Sequence, residues 1–123
     1  MKPVNILVID DESVICNACH FILSEKGYTV ERQLTGKSGL DALKSGQYHI
    51  VLLDMMLPDM DGMDILKMIK GENPAVCIIV MTGYSTVSNA VKAMKLGAYD
   101  YLAKPFTDDE LVSAVEKACL HVV

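Results

Sequence analysis

His49-Ile50-Val51-Leu52-Leu53-Asp54-Met55-Met56-Leu57-Pro58 is the stretch from which the rest of the chain can be read. Apolar residues from Ile50 to Leu53 run straight into a carboxylate. A continuous apolar run of this kind, closed by Pro58 and Gly62, predicts a short strand buried on both faces. Asp54 then lies at the carboxyl end of that strand, where ligands bind in open α/β sheets. A carboxylate in such a place must be paired, metal-bound or reactive, because burying an unpaired charge is costly.

Working outward, Val4 to Ile9 is a second apolar run, broken only by Asn5 and ending at Asp10-Asp11-Glu12. Ser13 is placed to cap a helix, and Ile15, Ala18, Cys19 and Ile22 follow helical spacing until Gly27. Tyr28 to Leu34 alternates apolar and polar residues, as a half-exposed edge strand does. Lys37 to Ser45 predicts a short helix stopped by Gly46. After Asp54, Leu57-Pro58-Asp59-Met60-Asp61-Gly62 has loop composition, and Gly62, Ile65, Leu66 and Ile69 mark a third helix. Val76 to Met81 is another fully apolar strand, running into Thr82. Val87, Ala90, Val91 and Met94 predict a helix ended by Gly97. Tyr99 to Ala103 predicts a short, partly polar strand before Lys104-Pro105. Leu111, Ala114, Val115 and Ala118 predict a final helix.

Five strand-then-helix units predict an α/β fold: a parallel sheet with right-handed crossovers and helices on both faces. The two more polar strands, the second and fifth, belong at the edges, which fits the order 2-1-3-4-5. The 123 residues are enough for one domain, 1–123, and too few for two. With 51% hydrophobic and 22% charged residues the chain is globular. A net charge of −5 gives no general attraction for nucleic acid or an anionic membrane. Met1-Lys2-Pro3 leads directly into a strand, unlike a signal peptide. Cys16, Cys19, Cys77 and Cys119 all fall in apolar-periodic segments and are expected to be reduced packing residues of a cytoplasmic protein. Cys16-Asn17-Ala18-Cys19 has redox-motif spacing but lies inside a helix rather than at its start.

Every polar group that interrupts the pattern at a strand end falls on one edge of this sheet: Asp10 and Asp11, Asp54, Thr82 and Lys104. Carboxylates so close repel, and at least one is driven to protonate unless a cation intervenes. A hard divalent ion, magnesium, suits carboxylates, waters and a phosphate oxygen. An anionic nucleophile, a metal, a lysine and a hydroxyl together suit in-line phosphoryl transfer onto Asp54.

These residues, with Leu57-Pro58 through Gly62 and Lys104-Pro105-Phe106, resemble the receiver domain of bacterial two-component response regulators over essentially the whole chain. The resemblance implies a flavodoxin-like doubly wound (βα)5 fold with a five-stranded sheet in the same 2-1-3-4-5 order. It implies Asp54 as phospho-acceptor, and Asp10 and Asp11 as the acidic metal pair, Asp11 the more direct ligand. It implies that the backbone carbonyl of Met56 joins them as a ligand to Mg2+, that Thr82 and Lys104 contact the phosphoryl group, and that Tyr101 is the switch aromatic. It implies that Asp54 takes its phosphoryl group from a sensor histidine kinase. The surface made by the fourth helix, fifth strand and fifth helix then changes toward an output domain, partner protein or second receiver. Such a domain transfers and hydrolyses its own phosphoryl group, is not otherwise an enzyme, and touches neither nucleic acid nor membrane directly. Met81-Thr82-Gly83-Tyr84 and Ala90 to Leu102 are similar to receivers fused to sigma-54-dependent transcriptional activators. The chain ends with its last helix, so it is expected to be a stand-alone receiver or one cut from a longer protein.

Two other readings share part of this pattern. A flavodoxin-like cofactor binder would want a Ser/Thr/Gly-rich phosphate loop where Asp10-Asp11-Glu12 stand. A phosphatase of the haloacid dehalogenase type would want a second aspartate at the position of Met56. His20, His49 and His121 lack partners at ligand spacing and are expected to be structural or solvated. Met56 and Tyr84 flank the expected phosphate, where they would tune its hydrolysis. A cis peptide is expected before Pro105.

Overall fold

The apolar run Ile50–Asp54 forms β3, buried along its whole length. In this computed structural model, which describes residues 3–83 and 87–122, β3 lies at the centre of a five-stranded sheet. The order is β2-β1-β3-β4-β5, with β1 (Asn5–Ile9), β2 (Thr29–Gln33), β4 (Cys77–Thr82) and β5 (Asp100–Ala103). All four pairings are parallel. The expected order is the observed one, and the reason is visible in burial. β1, β3 and β4 bury nearly every side chain, whereas β2 exposes Thr29, Glu31 and Arg32 at the edge.

Alternate residues of each strand feed two separate cores. Ile6, Val8, Ile50, Leu52 and Ile79 pack against α1 (Ser13–Glu25) and α5 (Asp108–Val122). Leu7, Ile9, Val51, Leu53 and Val80 pack against α2 (Gly36–Ser45), α3 (Gly62–Glu72) and α4 (Val87–Lys95). Each buried Ile or Leu contributes about 2 kcal/mol of transfer free energy. These two layers hold the strand ends in fixed register: Ile9 beside Leu53, Asp54 beside Met81, Thr82 beside Ala103. Among the described residues, no helix is long and apolar enough to cross a membrane.

The helix ends differ in one place from the sequence pattern. Glu12, not Ser13, is the N-cap of α1, and Ser13 is the first helical residue. The turn is closed earlier because the Asp10 carboxylate accepts a hydrogen bond from the Glu12 N–H at 2.9 Å. α2 starts with a capping box between Thr35 and Ser38. The Asp59 carboxylate also accepts from the N–H groups of Gly36 and Lys37 at 2.9 and 3.0 Å. That bond ties the loop after β3 to the start of α2, and it holds the Asp59 pKa below its ordinary value. Gly27 and Gly97 end α1 and α4 at φ +94° and +107°, a backbone region that favours glycine. The expected cis peptide between Lys104 and Pro105 is present.

All four cysteines are free. Burial, with a smaller contribution from Asp10, pushes the Cys16 thiol up to about 11. Burial and Cys16 push Cys19 to about 12. Neither can be a thiolate near neutral pH, so the C-x-x-C spacing here is packing.

Gly62 packs closely against the backbone of the loop beside Asp54. A Cβ there would lie 2.6 Å from the Cα and carbonyl oxygen of Met55. Backbone cannot rotate away as a side chain can. Gly62→Ala should therefore lose about 1–3 kcal/mol of stability, read as a lower urea midpoint. An unchanged midpoint would mean that the Met55 backbone yields without strain.

Candidate functional site

β1, β3 and β5 end on the same edge of the sheet, and each delivers one charge there. Asp10 follows β1 with no exposed surface, and Asp54 is the last residue of β3 and almost as buried. Lys104 follows β5, anchored by its own N–H donating to the Thr82 carbonyl at 2.9 Å. The Lys104 ammonium Nζ lies 2.7 Å from Asp10 Oδ2, 3.1 Å from Glu12 Oε1 and 3.5 Å from Asp54 Oδ2. One cation therefore serves three carboxylates.

The buried acids use their other oxygens on backbone donors. Asp10 Oδ1 accepts from the Glu12 N–H, and Asp54 Oδ1 accepts from the Met56 N–H at 3.1 Å. Asp10 Oδ2 is fully buried and makes no well-directed hydrogen bond, so its contact with Lys104 is an ion pair of poor angle. The Cys16 thiol donates to the Asp10 carbonyl at 3.2 Å, steadying the turn.

Burial lifts the Asp54 carboxyl to about 6. The Met56 N–H and the Lys104 charge lower it, while the Asp10 charge and the Asp11 carboxylate, an acceptor for the protonated form, raise it. Burial works against the charge of Lys104, yet the close contact with Asp10, the hydrogen bond to Glu12 and the attraction of Asp54 outweigh it. Its pKa ends above the ordinary lysine value.

Among the described residues, Asp10, Glu12 and Asp54 form a trio of carboxylates whose oxygens lie within 4.8 Å of one another. Asp11 is outside the trio, but it is exposed and lines the same opening, about 530 Å³, with Glu12, Asp54, Met56, Gly83 and Lys104. Thr82 is buried at the end of β4. It shares an adjoining cavity of about 550 Å³ with Met56, Asn89 and half-buried Tyr101. Asp10, Asp54 and Lys104, three of the residues marked in the sequence, thus meet directly, and Asp11, Thr82, Met56 and Tyr101 border the same two openings. Tyr84 lies outside the described residues. Sequence reasoning gave Glu12 no role, although it stands in the same acidic run. Asp59 was missed because its partners are 22 and 23 residues away.

The histidines play other parts. His49 Nδ1 accepts from the Asn5 N–H at 2.9 Å, and the His121 ring tilts against Tyr99.

Residues 6–116 match the response regulator receiver domain family. The chain belongs to that family. Transcriptional regulatory protein ZraR of Escherichia coli K12 is 40% identical over 118 residues, covering 96% of this chain. Transcriptional regulatory protein FixJ of Bradyrhizobium diazoefficiens is 39% identical over 114 residues, 93% of this chain. The receiver spans only 27% of that ZraR protein and 56% of that FixJ protein. Among solved structures, the receiver domain protein (CheY-like) of Methanospirillum hungatei superposes with TM-score 0.92 at 30% identity. It covers 98% of this chain and 97% of its own. The receiver is therefore a two-component signalling domain, and neither the cofactor-binding nor the phosphatase reading is favoured.

The raised Asp54 pKa has a sign that can be checked. Its folded pKa, about 6, is above the ordinary 3.8. The folded state therefore holds the proton more tightly, and stability falls as pH rises from about 4 through 6. Asp54→Asn removes that cost. It should be more stable than the parent at pH 7, by on the order of 2 kcal/mol, with the gain disappearing near pH 4. Parallel thermal melts across this range measure it. A gain that instead grew on acidification would contradict the assigned environment.

Proposed function

We propose that Asp54 accepts a phosphoryl group from the phosphohistidine of a sensor kinase, in a magnesium-dependent reaction. The observation that carries this reading is the contact of a buried strand-end carboxylate with the Lys104 ammonium at 3.5 Å, open to solvent on one side. An oxygen of Asp54 forms the new P–O bond as the donor's P–N bond breaks, and the electron pair of that bond stays on the imidazole nitrogen. The Met56 N–H orients the carboxylate, and Lys104 draws its charge toward the ionised form needed for attack. Lys104 and the Thr82 hydroxyl then face the transferred oxygens.

The donor set fits a hard cation. It consists of carboxylate oxygens, and Asp10 Oδ2 lacks a well-directed hydrogen bond. Asp10, Asp11, Asp54 and the Met56 carbonyl would hold Mg2+. When bound, the ion supplies charge neutralisation for the carboxylates and the phosphoryl oxygens.

Thr82 and Tyr101 lining one cavity supports a coupled switch. Movement of Thr82 toward the phosphoryl group empties space into which Tyr101 turns, altering the α4-β5-α5 surface. That surface would meet an output domain, a partner protein or a second receiver. The regulatory names of the relatives support a transcriptional output, and the likeness of Met81 to Leu102 to receivers joined to sigma-54-dependent activators supports an output of that kind, in the cytoplasm.

Asp54→Asn should fold normally yet take no label from acetyl phosphate, and excess chelator should suppress labelling of the parent. Retention of label by the variant would refute the assignment. For the switch, NMR of the free protein and its beryllofluoride-magnesium complex should show shift changes in α4 and β5 as well as beside Asp54. Changes confined to the Asp54 loop would remove the coupling.

A further inference from the structure

We propose that Glu12 restrains Lys104 before phosphorylation, so that its carboxylate limits how readily Asp54 is loaded and how long it stays loaded. The inference rests on Asp54 being the acceptor. It begins with a glutamate that does not do what its position suggests. Glu12 is the N-cap of α1, yet its side chain makes no capping hydrogen bond. Short side chains serve at that position because their oxygen can turn back onto the helix. The Glu12 side chain reaches across the sheet edge instead and accepts a hydrogen bond from Lys104 Nζ at 3.1 Å.

The distances around Nζ show what that contact does. An ammonium has three N–H donors, and here three carboxylates surround it, which leaves no donor to spare. The acceptor, Asp54, has the longest contact at 3.5 Å, behind Asp10 at 2.7 Å and Glu12 at 3.1 Å. A phosphoryl group on Asp54 can claim Lys104 only if another contact loosens. Asp10 is the costlier one to give way, because it has no exposed surface and, until a cation reaches it, would be left as a buried, uncompensated charge. The Glu12 side chain is 59% exposed, so water can solvate it once Lys104 leaves. Glu12 also lines the opening through which the phosphoryl donor must come, where its charge repels an anion. Freeing Lys104 and removing that repulsion act in the same direction.

The test is Glu12→Gln in this chain, with labelling by acetyl phosphate and magnesium, the lifetime of the phosphorylated form, and the affinity for beryllofluoride-magnesium. Exposed ion pairs are weak, so labelling should be about two- to five-fold faster. The lifetime should lengthen and beryllofluoride should bind tighter by a similar factor. Both gaps should close at about 1 M salt, where exposed charges are screened. Glu25→Gln, the same change of net charge at the far end of α1, should leave the labelling rate as it was. Unchanged or slower labelling of Glu12→Gln overturns the proposal, and so does a fall in magnesium affinity that accompanies slower labelling. A wrong acceptor looks different: Asp54→Asn would still take label whichever residue stood at position 12.

Discussion

One ammonium group among three carboxylates holds the functional edge of this receiver together. Lys104 comes from the far end of the chain, Asp10 and Glu12 from its start, and Asp54 from its middle. Neither of the buried carboxylates, Asp10 and Asp54, would be tolerable at its depth alone. Asp10 is fully buried, and burial alone raises Asp54 toward protonation. The lysine makes the folded arrangement affordable, and in the proposed mechanism the same lysine is recruited by the arriving phosphoryl group.

The sheet makes that cluster possible by giving it no freedom. β1, β3 and β4 are covered by helices on both faces, so their ends cannot shift without disturbing one core or the other. The loops that follow are less constrained, and they carry the exposed groups Asp11, Glu12 and Met56. Asp59 limits one of them by holding the segment after Asp54 against the N-terminus of α2. The result is a pair of buried strand-end carboxylates behind an exposed rim, an arrangement suited to chemistry that depends on positioning and charge.

The cavity shared by Thr82 and Tyr101 extends this from the site to the surface. The two residues lie on adjacent strands, with Thr82 opposite Ala103 and Tyr101 opposite Val80. In the proposed switch a side-chain rearrangement at Thr82 would reach Tyr101 on β5 across this pairing. Only contacts that differ between the two states can bias such a switch, and in the proposed mechanism these are the bonds of Thr82 and Lys104 to the phosphoryl group.

Much of this was legible in the sequence, because burial leaves a strong mark. Ile50 to Leu53 could only be a strand covered on both sides, and the polar residues of β2 could only belong at an edge. The strand ends followed, and with them Asp10, Asp54, Thr82 and Lys104 on one side of the sheet. The N-cap of α1 was misplaced by one residue, because a hydrogen bond from the Glu12 N–H to the Asp10 side chain decided it, and propensity at Ser13 carries no trace of that bond. The hold of Asp59 on α2 and of Glu12 on Lys104 were likewise invisible, since each joins residues distant in sequence through side-chain reach rather than through periodicity. Hydrophobic spacing by itself determined the elements, the two edge strands and the side of the sheet on which charge collects, while the full strand order came in part from the resemblance to receivers. Only the tertiary structure decided which carboxylates share the lysine, because that depends on ångström-scale distances between side chains from separate strands.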